Sequence, residues 1–374
     1  MSSFQKFPLV RDKSDFELAI SSGGATSVLG GAGTLLACEI AGIHTFRRIG
    51  GVSGGAIVSS LKALGVPTTR LLQLALSCDF SDHLCLQHGI MGAIKGLSNS
   101  FSKVIRKEDE TCQTSEEPDH VTWKVTGLYG SDGLGAYIEG QAVEVGRTKS
   151  EWPESYWTMA TTKDGSQVVF TRDGVFHIKL NGQMTQLSTT PPPLATAVRY
   201  SCTIPGVLAA LEYKGNLLFD GALSRDGLCP VGMMIRHFGA DPYKIIACRV
   251  GEDSLKPVSG RLHRMARRIW RVHPEFHWGP ETTGVIEFRP QIEHVHSLKF
   301  KLSTDEKWLA ILVSFEACLG QLAIEGIADA DALARARSIF KGFGYWRDAQ
   351  PAPIGAPQLL SQRVERCLAD HGLF

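Results

Sequence analysis

Gly51-Val52-Ser53-Gly54-Gly55 stands between an apolar, strand-like run at 45–50 and a helix-like run at 54–64. A chain that passes from strand to helix in so few residues needs a tight turn. Glycines two before and two after the serine let neighbouring backbone approach without Cβ clashes, and the serine hydroxyl is then pointed out of the backbone. Two readings fit this stretch alone. Ser53 is a nucleophile on a strand-to-helix turn, or the segment is an ordinary Gly/Ser turn in a chain where glycine fills 39 of 374 positions. The surrounding pattern has to separate them.

Residues 16–21 read as a short buried strand running into the small-residue loop Ser22-Gly23-Gly24-Ala25-Thr26-Ser27, with a helix expected over about 31–41. A strand at 45–50 and helices at 54–64 and 68–77 follow, the last started by Pro67. Further on, the pattern predicts a helix over 129–146, two strands at 158–162 and 167–171 meeting near Asp164-Gly165, and a helix over 194–201. It then predicts a strand at 217–219, a helix over 233–238, strands at 244–249 and 285–288, and helices over 305–321 and 330–341, with Asp329 capping the last. A terminal helix is expected over 358–368. Alternation of strands and helices argues for a three-layer α/β/α fold with a central, mostly parallel sheet and helices on both faces. We expect an N-terminal extension at 1–15, one catalytic domain over 16–325 with a charged insertion at about 106–122, and a helical tail over 326–374 packed on that domain.

Composition narrows the function class. Lys+Arg 39 against Asp+Glu 38 leaves +1, so no general drive toward nucleic acid is expected. The nine cysteines are odd in number and scattered without a CxxC pair, which fits a reducing compartment. Cys78, His83, Cys85 and His88 form the nearest approach to a metal site but match no standard zinc spacing. The first residues carry charges where a secretory signal has an apolar core, and no apolar run approaches a membrane span. A cytoplasmic location with transient membrane-surface contact is the expectation.

The loop 22–27 offers backbone N–H groups beside a helix start, a natural place for developing negative charge, and lacks the endings of nucleotide-binding loops. Asp220, at the end of Leu217-Leu218-Phe219, is placed where desolvation would raise its basicity. Asp-Gly also occurs at Asp132, Asp164, Asp173 and Asp226, and such pairs commonly mark plain turns. A Ser-Asp-His order with His237, His263, His273, His277, His294 or His296 stays open on chain order alone.

Taken in order, the Gly-rich loop, GVSGG, the stretch 197–206 (AVRYSCTIPG) and Asp220-Gly221-Ala222 resemble the patatin-like phospholipases. The resemblance covers most of the chain between Phe16 and about Gln321. It implies a serine–aspartate dyad without histidine, hydrolysing acyl esters of membrane lipids without metal or organic cofactor. By that resemblance Ser53 attacks the ester carbonyl, Asp220 accepts its proton, and the N–H groups of Gly23, Gly24 and Ala25 stabilise the oxyanion. The implied partner is a phospholipid at a membrane surface, not nucleic acid; whether a protein or small molecule activates the enzyme stays open. Two positions depart from the family loop, Ser22 for a first glycine and Thr26 for a basic residue, which also keeps open a catalytically weak, lipid-binding protein. Finally, Leu262, Met265, Ala266 and Ile269 share one helical face, and Arg264, Arg267, Arg268 and Arg271 with Trp270 form a candidate membrane-contact surface.

Overall fold

The computed structural model describes residues 13–77, 85–86, 129–205, 207–224, 226–250, 279–292 and 301–343. The first stretch holds β1 (Glu17–Ile20), α1 (Ala25–Ile40), β2 (Arg48–Gly51), α2 (Gly54–Ala63) and α3 (Thr68–Ser77). A two-residue pair, β3 (Cys85–Leu86) and β4 (Tyr129–Gly130), precedes α4 (Asp132–Glu144). A meander of β5 (Tyr156–Thr162), β6 (Gln167–Thr171), β7 (Gly174–Ile178) and β8 (Met184–Ser188) leads to α5 (Leu194–Ser201). Then come β9 (Leu211–Tyr213), β10 (Asn216–Asp220), α6 (Val231–Phe238), β11 (Ile245–Cys248), β12 (Ile286–Phe288), α7 (Thr304–Ile324) and α8 (Ala330–Phe343).

The main sheet runs β12-β11-β1-β2-β5-β6-β7-β8, with parallel pairing from β12 through β5 and antiparallel pairing beyond it. Side chains alternate across a strand, and here both faces are apolar. Leu18, Ile20, Ile246 and Cys248 face the core beneath α1, α2, α3 and α7. Ala19, Ala247, Trp157 and Met159 face the other side, where Met233 and Met234 of α6 cover them. The expected three-layer α/β/α architecture is therefore observed.

Several boundaries differ from the sequence reading, each for a packing reason. The first helix begins at Ala25, six residues before the expected start at 31. Thr26, Ser27, Val28 and Gly30 in its opening turns are weak helix formers, but all from Ala25 to Gly30 are buried, and burial overrides propensity. The expected pair of strands at 158–162 and 167–171 is a four-strand meander, since β7 and β8 continue it. The available signal was the pair of turns at Asp173-Gly174 and Asn181-Gly182; the flanking runs are polar because β8 keeps no residue fully buried. Residues 129–130 form a strand rather than the first turn of α4.

Among the described residues, only α7 is long and apolar enough to cross a membrane. Trp308, Ile311, Phe315 and Leu322 on it are fully buried in the main core, so it serves as a core helix. The expected cap on α8 is present: the Ala332 N–H donates to Asp329 Oδ1 at 2.8 Å. Ala332 and Ala336 of that helix join the main core. Residues 106–122, the terminal stretch 358–368 and the basic segment with Arg264, Arg267, Arg268, Trp270 and Arg271 lie outside the described residues.

Candidate active site

Strand β5 decides where the site is. One of its edges is shared end to end by two strands, β2 pairing in parallel up to Gly51 opposite Thr158 and β10 pairing antiparallel down to Asp220 opposite Ala160. Running in opposite directions along that edge, both finish there. Two residues of strand span roughly 7 Å, so the segment after Gly51 and the side chain of Asp220 must meet.

Ser53 sits where β2 gives way to α2, as the N-cap, with φ 56° and ψ −124°. A side chain resists that conformation, at a cost on the order of 1–3 kcal/mol. The surroundings over-determine it. The Ser53 N–H donates to Ser201 Oγ at 3.0 Å, and the Cys202 thiol donates to the Ser53 carbonyl at 3.3 Å. Thr158 Oγ1 donates to the Gly51 carbonyl at 3.0 Å, and Gly55 N–H closes the turn on Val52 O at 2.9 Å. The Ser53 side chain lies close enough to the Asp220 carboxylate to favour its charged form. Of the Asp-Gly pairs in the chain, Asp220 is the one joined to the nucleophile candidate; Asp164 closes a turn on Ser166, and Asp226 pairs with Arg236.

Asp220 is held by its backbone N–H on the Thr203 carbonyl at 2.7 Å and by the Ala222 N–H on its Oδ1 at 2.9 Å. It is only 4% exposed and Ser53 only 3%. Burial pushes the Asp220 carboxyl up to about 6 from the ordinary 3.8, and the hydrogen bonds from Ser53 and Ala222 keep it from rising further. A carboxylate in this range is a usable base near neutrality. Burial and the nearby Asp220 charge push the Cys202 thiol well above its ordinary value, so it remains a donor and not a competing nucleophile.

The glycine loop completes the site. Gly24 caps α1 with φ 56° and ψ −131°, nearly the geometry of Ser53 on α2. The two helices thus present their N-termini together, where partial positive charge accumulates. Among the described residues the N–H groups of Gly23, Gly24, Ala25 and Gly54 have no protein acceptor. Thr26, which stands where a basic residue was expected, is buried and donates its hydroxyl to the Gly23 carbonyl. Ser22 N–H binds the Leu228 carbonyl at 2.7 Å, tying the loop to the segment after Asp220.

Loop and turn touch at Gly54, where an added Cβ would lie 2.1 Å from the Gly24 carbonyl oxygen. Gly54→Ala should therefore lower stability by about 1–3 kcal/mol, the usual range for overpacking. The urea midpoint of the purified variant checks this, and an unchanged midpoint would mean that the loop has slack.

His237 lies away from the Ser53–Asp220 pair. It lies on α6 beside Phe238, whose ring stacks under the Arg48 guanidinium at 5.4 Å. Arg48 begins β2, whereas Ser53 follows its far end, roughly 15 Å of strand away. Neither described partner of the Asp220 carboxylate is a histidine. His263, His273, His277, His294 and His296 lie outside the described residues, as do Cys78, His83 and His88. Among the described residues no group of His, Cys, Asp and Glu side chains is arranged to hold a metal.

Ser201, Cys202 and Thr203 were visible in the sequence only as part of 197–206; their roles as braces of Ser53 and Asp220 depend on contacts with chain far away. A wide cleft bordered by Arg47, Arg147, Glu151 and Arg172 lies at the opposite ends of β2 and β5 and shares no residue with this site. A narrower, apolar one lies close by, lined by Val28, Ile57, Leu61, Leu71, Leu74 and Tyr137.

A family model described as patatin-like phospholipase matches residues 18–233. No curated protein matches the sequence. Among solved structures, the chain is similar to VipD from Legionella pneumophila, with 14% identity, 96% of this chain and 81% of that chain covered, and a TM-score of 0.45. It is similar to human GIVD cytosolic phospholipase A2, with 12% identity, 87% and 64% covered, and a TM-score of 0.43. The type III effector protein ExoU of Pseudomonas aeruginosa shows 10% identity, 96% and 68% covered, and a TM-score of 0.36.

Proposed function

Because this chain belongs to the patatin-like phospholipase family, we propose that it cleaves acyl ester bonds of membrane glycerophospholipids through Ser53 and Asp220. The observation that carries the proposal is the buried Ser53–Asp220 pair at the junction of β2 and β10 on β5, with the Asp220 carboxyl raised to about 6. Ser53 Oγ attacks the ester carbonyl while its proton passes to Asp220. Negative charge developing on the carbonyl oxygen meets the unpaired N–H groups of Gly23, Gly24 and Ala25, with Gly54 N–H as a further donor on the nucleophile's own turn. Collapse of the tetrahedral intermediate expels the lysolipid alkoxide, which takes the proton from Asp220. Water, deprotonated by the same carboxylate, then releases the fatty acid from the acyl-enzyme.

The apolar crevice has a volume of only about 20 Å³ as it stands, so we propose that it widens to take the acyl chain. Ile57 and Leu61 stand one and two turns along α2 from Ser53, and Val28 lies in the first turn of α1. An acyl chain laid there would leave its ester near the serine. The lipid would be met at a membrane surface, and the segment with Arg264, Arg267, Arg268, Trp270 and Arg271 is our proposal for that contact.

The test is fatty-acid release from phospholipid vesicles labelled at each acyl position, followed from pH 4.5 to 8. Asp220 must be ionised to act as a base, so kcat/KM should rise about tenfold per pH unit well below 6 and level off above it. Flat pH dependence would remove Asp220 as the base. Absence of hydrolysis at every pH would favour the lipid-binding alternative that Thr26 motivates.

A further inference from the structure

One buried hydroxyl beside the site has no partner among the described residues. Ser27 is the third residue of α1, fully buried at 0% exposure, and its Oγ makes no hydrogen bond. Leaving a buried hydroxyl unpaired costs stability, and such groups ask for an explanation. Its position supplies one. Ser27 Oγ lies 2.5 Å from where a Cβ on Gly23 would be, and Ser27 Cβ lies 3.2 Å from where one on Gly54 would be. The side chain therefore fills the seam between the glycine loop and the turn that carries Ser53. Its neighbour Thr26 is already committed to the Gly23 carbonyl. Ser59 and Ser60, equally buried on α2, bind their own helix carbonyls; Ser314 is also buried without a partner among the described residues, but it faces Gly30 from α7, whereas Ser27 lies against the glycine loop and the turn of Ser53.

We propose that the Ser27 hydroxyl is a side-chain donor to the oxyanion, joining the N–H groups at the start of α1. This inference rests on the hydrolase reading above. The hydroxyl is held close to the loop, in a site where no cation among the described residues contributes to the environment of Asp220. A neutral donor there acquires its acceptor only when the carbonyl oxygen becomes negative. Stabilisation of that kind appears in the transition state and not in substrate binding.

The experiment compares the full-length wild type with Ser27→Ala and Ser27→Gly on phospholipid vesicles and with an alkyl fluorophosphonate. In the labelling reaction the Ser53 Oγ–P bond forms as the P–F bond breaks, fluoride leaves, and the serine proton passes to Asp220. Both variants should lose roughly 10²-fold in kcat with KM within about twofold. Labelling of Ser53, followed by mass spectrometry, should slow by a similar factor. The melting temperature of Ser27→Ala should be unchanged or higher, because an unpaired polar group has been removed. Wild-type kcat and labelling rate in both variants would overturn the inference, as would a lowered melting temperature with unchanged kcat, which marks a packing role. A wild type that neither hydrolyses lipid nor labels at Ser53 would overturn the dyad reading and this inference with it; labelling of wild type and variants at equal rates would overturn this inference alone.

Discussion

Ser53→Ala is expected to lower phospholipid hydrolysis by on the order of 10⁴-fold or more, because it removes the atom that bonds to the acyl group. The fold should survive. The N–H to Ser201, the carbonyl to Cys202 and the closing bond from Gly55 to Val52 are backbone contacts of the turn that alanine keeps. Ser53→Gly should be equally inactive but more stable, since glycine accepts φ 56° without the steric penalty. A gain of about 1 kcal/mol is the expected size. Vesicle assays and urea denaturation of the three proteins measure both effects. Activity retained in either variant would remove Ser53 as the nucleophile, and a less stable glycine variant would show that the turn is not strained.

Asp220→Asn should cost activity on the order of 10³-fold or more, since the amide cannot take the serine proton. Its effect on stability should have the opposite sign. Folding raises this carboxyl from 3.8 to about 6, so the native state binds the proton more tightly than the unfolded chain. The group's favourable contribution is fully present below about pH 4 and is lost as pH rises through about 6. Above that range the buried charge costs about 3 kcal/mol, an order-of-magnitude figure from the size of the shift. Asparagine never ionises, and its carbonyl oxygen can still accept from the Ala222 N–H, which binds Oδ1 in the native protein. The variant should therefore exceed wild type in stability near pH 7.5, with the difference shrinking toward pH 4.5. Denaturation midpoints at the two pH values decide it, and a difference independent of pH would show that the Asp220 carboxyl is not perturbed. Lost activity with gained stability in one substitution is the mark of a group held for function at the expense of the fold.

Much of this site could be read without coordinates. Ser53 and the glycine loop were legible because tight turns impose residue types locally, and Asp220 because it ends an apolar run. The element order was legible because hydrophobic periodicity follows the local geometry of helix and strand. The errors fell where packing overruled local preference. The weak helix formers at the start of α1 are helical because they are buried, and β7 and β8 are strands because β6 offers an edge to β7 and β7 offers one to β8. Ser201, Cys202 and Thr203 could not be assigned, since their partners Ser53 and Asp220 are remote in the chain. His237 fitted a triad by chain order until α6 carried it to the other end of β2.

By itself, then, the sequence determined which residues could turn, cap and react, since those are properties of a residue and its immediate neighbours. Only the tertiary structure decided that β2 and β10 end on the same edge of β5, because register is a pairing between distant segments. That junction brings Ser53 to Asp220 and removes both from water, and desolvation by the rest of the fold is what raises the Asp220 carboxyl above an ordinary one.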